Sequence, residues 1–126
     1  MIEITERDFS VEEVISRMSS PKVGGIITYL GTVRGFSEGG KVAGIEFAIS
    51  EAAAVKISEI EKKALEDFEV EEVAIVHRIG WLKVGDRILL VAVSASHREP
   101  AFAACMGIID AIKVIHANWA KEVLLS

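Results

Sequence analysis

The sequence predicts an α+β fold with a mixed or antiparallel sheet and three main helices. Only three segments repeat their apolar residues at the spacing of an amphipathic helix, and several strand-like segments follow one another with no helix between them. The length of 126 residues argues for one hydrophobic core, so we expect a single domain over residues 1–126.

Six strands and three helices are predicted, in the order β-α-β-β-α-β-β-β-α. The strands are placed at about residues 1–5, 23–34, 42–50, 70–79, 81–84 and 87–96, and the helices at about residues 10–18, 51–68 and 100–117.

Local signals justify the elements of the first half. Ser10 with Glu13 three residues later is a capping-box signature for the start of the first helix. The strand after that helix is β-branched and apolar, and its glycines indicate bulges or close backbone approach. A glycine-containing loop over residues 35–41 follows. The apolar residues that alternate with small or polar ones in the next strand are Ile45, Phe47 and Ile49.

The second half is predicted from longer apolar patterns. The middle helix covers one face with Lys and Glu and repeats apolar residues on the other. The run from Arg87 to Ser96 is almost continuously apolar, which is typical of a central strand. Pro100 opens the last helix. The predicted buried stripe of that helix is Ala101, Cys105, Ile108, Ile112 and Ile115.

Composition and charge favour an oligomeric protein that handles a small anion. Hydrophobic residues make up 51% of the chain and the mean hydropathy is +0.38, which leaves apolar surface for an interface between subunits. The net charge is −5, yet residues 73–121 hold six Lys or Arg against three acidic residues. That local excess suits a small anion and is too sparse for a nucleic-acid surface.

Several features lead us to expect a cytoplasmic protein. No uncharged apolar run reaches the roughly 18–20 residues that span a bilayer, and the N-terminus lacks the pattern of a signal peptide. The one cysteine, Cys105, allows no internal disulfide. We expect no bound metal, because no His, Cys or acidic residues have the spacing of metal ligands, and the sequence implies no cofactor.

The segment from Ser94 to Pro100 predicts an anion site. A strand ends there, His97 and Arg98 follow at once, and a helix opens whose first N–H groups are unpaired. The same helix carries Lys113 within an otherwise apolar stretch. A lysine in that setting either extends its amine to solvent, which is the usual outcome, or is held in a pocket.

Six short motifs, taken together, resemble one protein family. They are Gly31-Thr32-Val33-Arg34-Gly35, Val76-His77-Arg78-Ile79-Gly80, Val84-Gly85-Asp86, Ser96-His97-Arg98 with Ala101-Phe102, Asp110-Ala111-Ile112-Lys113, and Trp119 with Lys121-Glu122. Each motif alone is weak. Their order and spacing over residues 25–122 are similar to those of the large, catalytic subunit of molybdopterin synthase.

The resemblance implies a fold of the α/β-hammerhead type and a homodimer. It also implies that each protomer binds a small ubiquitin-like sulfur-carrier subunit, which makes a heterotetramer. The carrier's C-terminal Gly-Gly thiocarboxylate would enter a pocket on this chain. Two sulfurs would then pass to cyclic pyranopterin monophosphate and form the dithiolene of molybdopterin, a step of molybdenum cofactor biosynthesis.

The resemblance further implies roles for individual residues. Arg34, His97 and Arg98 would hold the substrate and its phosphate, and Lys113 would be the central catalytic residue beside the end of the carrier. A neutral Lys113 amine could act as a base or nucleophile, whereas an ammonium could stabilise an oxyanion, and the sequence leaves both roles open.

The sequence departs from the family pattern in two places. The family usually has a second functional lysine directly after the tryptophan, but here Ala120 follows Trp119 and the lysine comes one residue later, at Lys121. On a helix that shift is a rotation of about 100°. Family members also usually continue into a C-terminal tail that helps to cover the site, whereas this sequence stops at Ser126. Lys121 remains the second catalytic candidate.

The charged candidates also have structural interpretations. Lys113 could form an ion pair with Asp110 one turn earlier, and Arg98 could pair with Glu99. Arg34 could be an ordinary solvated residue at the end of a strand.

The remaining chemically interesting residues are interpreted as structural. His77 and Arg78 lie within a strand, whose alternation puts one of the two on a solvent face. His116 lies near the end of the last helix, where a cation is favourable. Cys105 falls on the buried stripe and has no activating partner.

Two other functions fit the same residues. A non-catalytic relative would bind the carrier or the pterin without transferring sulfur. An unrelated anion-binding hydrolase would use the same basic cluster and would have no affinity for a carrier ending in Gly-Gly.

Overall fold

The structure is a computed structural model that describes residues 1–48 and 50–125. Its elements are β1 (Ile2–Thr5), α1 (Val11–Ser16), β2 (Gly25–Thr32), β3 (Phe36–Ser37), β4 (Gly40–Phe47), α2 (Glu51–Asp67), β5 (Glu72–Arg78), β6 (Gly80–Lys83), β7 (Arg87–Ala95), α3 (Arg98–Trp119) and β8 (Ala120–Leu124). Ile49, which was predicted to lie in a strand, is outside the described residues, as is Ser126.

The larger sheet has the strand order β1-β5-β7-β2. β1 runs parallel to β5, and the other two pairs are antiparallel. The predicted α+β class with a mixed sheet and three helices is therefore confirmed.

Both faces of this sheet are covered. The helices α2 and α3 pack on one face around the larger core, and α1 covers the other with a smaller cluster that includes Val14, Met18 and Val76. β7 is buried along almost its whole length, as the continuous apolar run predicts for a central strand. The two-sided burial explains why β5 and β7 lack the alternation of a half-exposed strand.

The second sheet is built around β4, which pairs antiparallel with β3, β6 and β8. Phe47 and Leu82 from this sheet are buried in the larger core. β3 and β8 differ from the prediction. β3 is a two-residue strand inside the predicted loop, and β8 follows α3 directly where no strand was expected.

The last helix, α3, carries the predicted buried stripe. All five residues of that stripe are buried. The helix is longer than predicted, because it begins at Arg98 with His97 as its N-cap and ends at Trp119. It is long and apolar enough to span a bilayer by length and composition alone, but its apolar face packs on β7 and β2 as a core helix does.

Candidate active site

A cavity of about 420 Å³ lies where β2, β4, β7, α3 and β8 meet. Its apolar wall includes Leu30, Ile45 and Leu89. Its polar lining residues are Tyr29, Thr32, Arg34, Lys113, His116 and Glu122. Cationic, anionic and neutral polar groups thus share one opening, a combination that suits a polar metabolite better than a purely apolar ligand.

Arg34 is placed at this cavity by the turn that follows β2. The backbone N–H of Val33 donates to the carbonyl of Asp86, 3.0 Å away, and the carbonyl of Val33 accepts from Gly85 at 2.9 Å. On the other side, Gly35 accepts from the N–H of Val42 at 2.9 Å. Arg34 is therefore exposed but lies between two anchored residues, so its backbone position is fixed.

Lys113 reaches the same cavity from α3. Lys113 lies on the flank of the helix and is exposed in the single chain, while its neighbour Ile112 is fully buried. The ion pair with Asp110 that the sequence allowed is not among the ion pairs of the described residues. The structure thus brings together two of the five predicted site residues, Arg34 and Lys113.

His97 and Arg98 lie at the opposite end of α3. Fifteen residues separate Arg98 from Lys113, which corresponds to about 22 Å along a helix. Both residues are exposed, and Nε of Arg98 lies 3.8 Å from Oε1 of Glu99, as the alternative interpretation allowed. Because α3 is one uninterrupted helix, a single chain cannot bring this pair to Lys113.

Lys121 lies on β8 rather than on a helix. Its register partner on β4 is Glu46, and the next residue, Glu122, pairs with Ile45. Side chains alternate along a strand, so Lys121 faces away from the side on which Glu122 lines the cavity. Lys121 was expected on a helix, rotated by about 100° from the usual position of the second lysine. It lies instead on a strand, and Glu122 rather than Lys121 lines the cavity.

His116, which lines the cavity one turn after Lys113, contacts His77 of β5. Nε2 of His116 lies 2.7 Å from Nε2 of His77, and Phe47 packs on both rings with centroid distances of 5.0 and 5.1 Å. Burial lowers the pKa of His77. The pKa of His116 falls to about 4, first because burial disfavours its charged form and then because His77 and Lys113 add repulsion.

At neutral pH the end of α3 therefore carries a neutral imidazole at His116 and not the cation that a helix terminus favours. The helix terminus favours a cation there, but burial and the positive charge of Lys113 oppose protonation more strongly. The alternation expected along this strand is confirmed, since His77 is 2% exposed while Arg78 is partly open.

Sequence reasoning missed His116 and Glu122 as lining residues. Neither has a spacing that links it to Arg34, because the cavity is assembled from elements far apart in the chain. Cys105 is buried, and that burial raises the pKa of its thiol, so it is a poor nucleophile. Among the residues that the structure describes, no three His, Cys, Asp or Glu side chains are grouped to hold a metal.

Comparison with known proteins places the chain in a family. The profile of the MoaE protein family matches residues 4–115. This chain belongs to the MoaE family. The molybdopterin synthase catalytic subunit of Pyrococcus abyssi is 42% identical over 117 residues, which cover 92% of this chain and 79% of that protein. The predicted membership in this family of enzymes is therefore confirmed.

Solved structures of MoaE proteins share the fold. The crystal structure of molybdopterin synthase from Staphylococcus aureus matches with a TM-score of 0.86 at 28% identity, covering 98% of this chain and 91% of that one. A chain in the complex of subunits 1 and 2 of the molybdopterin-converting factor from Helicobacter pylori matches with a TM-score of 0.71 at 19% identity, covering 89% and 77%. The latter likeness concerns the fold alone.

Proposed function

We propose that this chain is the catalytic subunit of a molybdopterin synthase. It transfers sulfur from the C-terminal thiocarboxylate of a small ubiquitin-like carrier to cyclic pyranopterin monophosphate. The observation that carries this proposal is the shared cavity of Arg34 and Lys113 in a chain of the MoaE family. A guanidinium and an ammonium in one cavity suit a substrate with a phosphate and an acyl group that develops negative charge.

The two cations have different parts in the reaction. Arg34 binds the pterin phosphate through paired N–H donors of its planar guanidinium, a bidentate contact that a lysine makes less well. The thiocarboxylate sulfur bonds to a side-chain carbon of the pterin while an oxygen leaves that carbon and takes a proton, and the carrier is then joined through a thioester. Lys113, as an ammonium beside this carbon, can supply that proton.

Hydrolysis completes each transfer. Water attacks the acyl carbon, the acyl carbon–sulfur bond breaks, the carrier leaves as a carboxylate, and the sulfur stays on the pterin as a thiolate. The Lys113 ammonium stabilises the oxyanion that forms during the attack. Two such transfers make the dithiolene.

A second copy of the chain completes the site. His97 and Arg98 are about 22 Å from Lys113 along α3, so they can join Arg34 around one phosphate only if another protomer supplies them. The exposed apolar side chains of Phe102 and Met106, on the same helix, offer surface for an interface. Such packing would also shield Lys113 from water.

The proposal includes a carrier subunit as partner and a cytoplasmic location, with no metal or cofactor in the site. The complex of two subunits solved for the Helicobacter pylori factor supports a small-subunit partner. The open mouth of the cavity allows a narrow Gly-Gly tail, which lacks side chains, to reach Lys113.

Reconstitution tests the proposal directly. The chain is mixed with thiocarboxylated carrier and cyclic pyranopterin monophosphate, and the dithiolene product is measured. We expect product with the wild-type chain and a loss of about 10²-fold or more with Lys113→Ala. The matched control is Lys62→Ala, since Lys62 is exposed on α2 away from the cavity. Equal turnover of Lys113→Ala and the wild type would defeat the assignment.

A non-catalytic relative is the second candidate. The observation that favours it is the position of Lys121, which lies on the face of β8 opposite Glu122 and so leaves the cavity with one lysine among its described lining residues. Carrier binding by the wild-type chain without any dithiolene would select this candidate.

A further inference from the structure

The two imidazoles behind the cavity have a defined proton arrangement. Nδ1 of His77 lies 2.6 Å from the backbone oxygen of Arg78, and a carbonyl oxygen can only accept. Nδ1 of His77 therefore carries the proton, which leaves Nε2 of a neutral His77 as an acceptor. It follows that His116 donates its Nε2–H to His77 across the 2.7 Å contact.

Charge does not disturb this arrangement at neutral pH. Burial keeps both rings neutral, and the Lys113 ammonium reinforces this for His116. The face that β4 presents to the rings is the uncharged Phe47. The titratable or charged residues that share the cavity with His116 are Lys113 on α3, Tyr29 on β2, Arg34 after β2 and Glu122 on β8. Arg78 follows His77 on β5.

The pair connects a fixed strand to the end of a helix. His77 is 2% exposed on β5, which lies between β1 and β7 in the larger sheet. His116 is in the last turn of α3, one turn after Lys113. The backbone at this end of α3 is already held, because β8 follows directly and pairs with β4. The hydrogen bond between the two rings adds a fixed rotation of the last turn, one turn after the point where Lys113 projects.

We propose that His77 and His116 are positioning residues, which hold the end of α3 so that the amine of Lys113 stays at the cavity. The inference rests on the proposed function and deepens it. The rings act through Lys113 and take no part in bond making. Phe47 packs against both rings, but this apolar contact tolerates rotation of the rings. The hydrogen bond is directional and fixes how the two rings are oriented.

Two substitutions at position 116 separate the hydrogen bond from packing. His116→Phe keeps an aromatic ring against Phe47 but removes the donor and leaves Nε2 of His77 unpaired. His116→Gln places an uncharged N–H donor at about the position of Nε2. The control is Ile108→Val, which removes one buried methyl group from α3 at a distance from the pair.

The expected result is a separation of kcat from KM. His116→Phe lowers kcat about tenfold or more, because a small misplacement of a catalytic group is costly, while KM for carrier and pterin changes less than about twofold. His116→Gln recovers most of kcat, and Ile108→Val behaves as wild type although it is also less stable. Unchanged kcat in a folded His116→Phe protein, or no recovery with Gln, overturns the inference.

A measurement that needs no turnover distinguishes this inference from the proposed function. Lysines are dimethylated with carbon-13, and the Lys113 signal is assigned by its loss in Lys113→Arg. We expect His116→Phe to shift or broaden that signal and His116→Gln to preserve it. A wild-type chain that makes no dithiolene defeats the proposed function, and the spectra then decide the positioning role: an identical Lys113 signal in His116→Phe overturns it.

Discussion

Arg34 and Lys113 line one cavity although seventy-nine residues separate them in the chain. Arg34 comes from the anchored turn after β2 and Lys113 from the flank of α3, so each can be changed without disturbing the other's backbone. We expect Arg34→Lys to raise KM for the pterin monophosphate about tenfold, with a smaller change in kcat. The charge is retained, but the two-pronged contact with phosphate is lost. Steady-state kinetics with saturating carrier measures both constants.

The control for that experiment is Arg17→Lys, at an exposed position on the far side of the larger sheet. An Arg34→Lys protein with unchanged KM would mean that another group holds the phosphate.

Mixed oligomers test whether two copies share a site. A Lys113→Ala chain and an Arg98→Ala chain are each expected to be nearly inactive. When they are mixed, a hetero-dimer has one site with both residues intact if Arg98 acts on the partner's cavity. Activity should then return to about a quarter of the wild-type value with free exchange of copies. Failure to complement, in samples shown by native mass spectrometry to contain hetero-dimers, contradicts a shared site.

Acid should destabilise the folded chain through His116. Its pKa drops from 6.5 to about 4 on folding, so above pH 6.5 it is neutral in both states and contributes nothing to pH dependence. Between those values the unfolded chain binds a proton that the folded chain rejects, and the free energy of unfolding falls. We expect a loss on the order of 2 kcal/mol by pH 4, reduced from the full shift because the ring borders an open cavity.

Urea unfolding at pH 7 and pH 4.5 measures this effect. The carboxylates contribute equally in wild type and His116→Gln, so the variant should lose less stability between the two pH values. The same loss in both proteins would show that His116 does not reject the proton.

Gly44 is expected to be intolerant of a side chain. It lies in the central strand β4, where an added β-carbon would be 2.6 Å from the ring of Trp81 and would also press on the carbonyl oxygen of Leu82. We expect Gly44→Ala to lower the free energy of unfolding by about 1–3 kcal/mol, because the exposed ring of Trp81 can turn away but the carbonyl of Leu82 is held by the pairing of β4 with β6.

The matched control is Gly25→Ala, since a β-carbon on Gly25 of β2 has no atom within 4 Å. That substitution should be neutral or slightly stabilising. Thermal unfolding followed by circular dichroism compares the two, and similar melting temperatures for both variants would contradict the close contact.

Patterns within single elements were predictable from the sequence. The buried stripe of α3 follows the helical period from Ala101 to Ile115, and the burial of β7 follows its continuous apolar run. β8 was not predictable, because residues 120–124 have no strand pattern and become a strand by pairing with β4.

The candidate site was less accessible to sequence reasoning. Lys113 was singled out as a lysine within an apolar stretch of helix, but its link to Arg34 came from the resemblance to a family and not from spacing. His77 and His116 were interpreted separately, because no local pattern shows that a strand residue meets a helix residue thirty-nine positions later. Glu122 was missed for the same reason as β8, since its side of the strand is defined only once β4 is in place.

The strand order of the larger sheet has a consequence for synthesis. Its two edges, β1 and β2, come early in the chain, whereas the central strands β5 and β7 that they pair with begin only at residue 72. A nascent chain paused on the ribosome at residue 68 would therefore expose the backbone N–H and C=O groups of two strands whose pairing partners have not yet been made. Such a chain would require protection by chaperones. If the chain is cut between α2 and β5, we expect each fragment alone to be insoluble and the two fragments expressed together to restore the fold. This connection is therefore a suitable place to divide the protein in a split reporter.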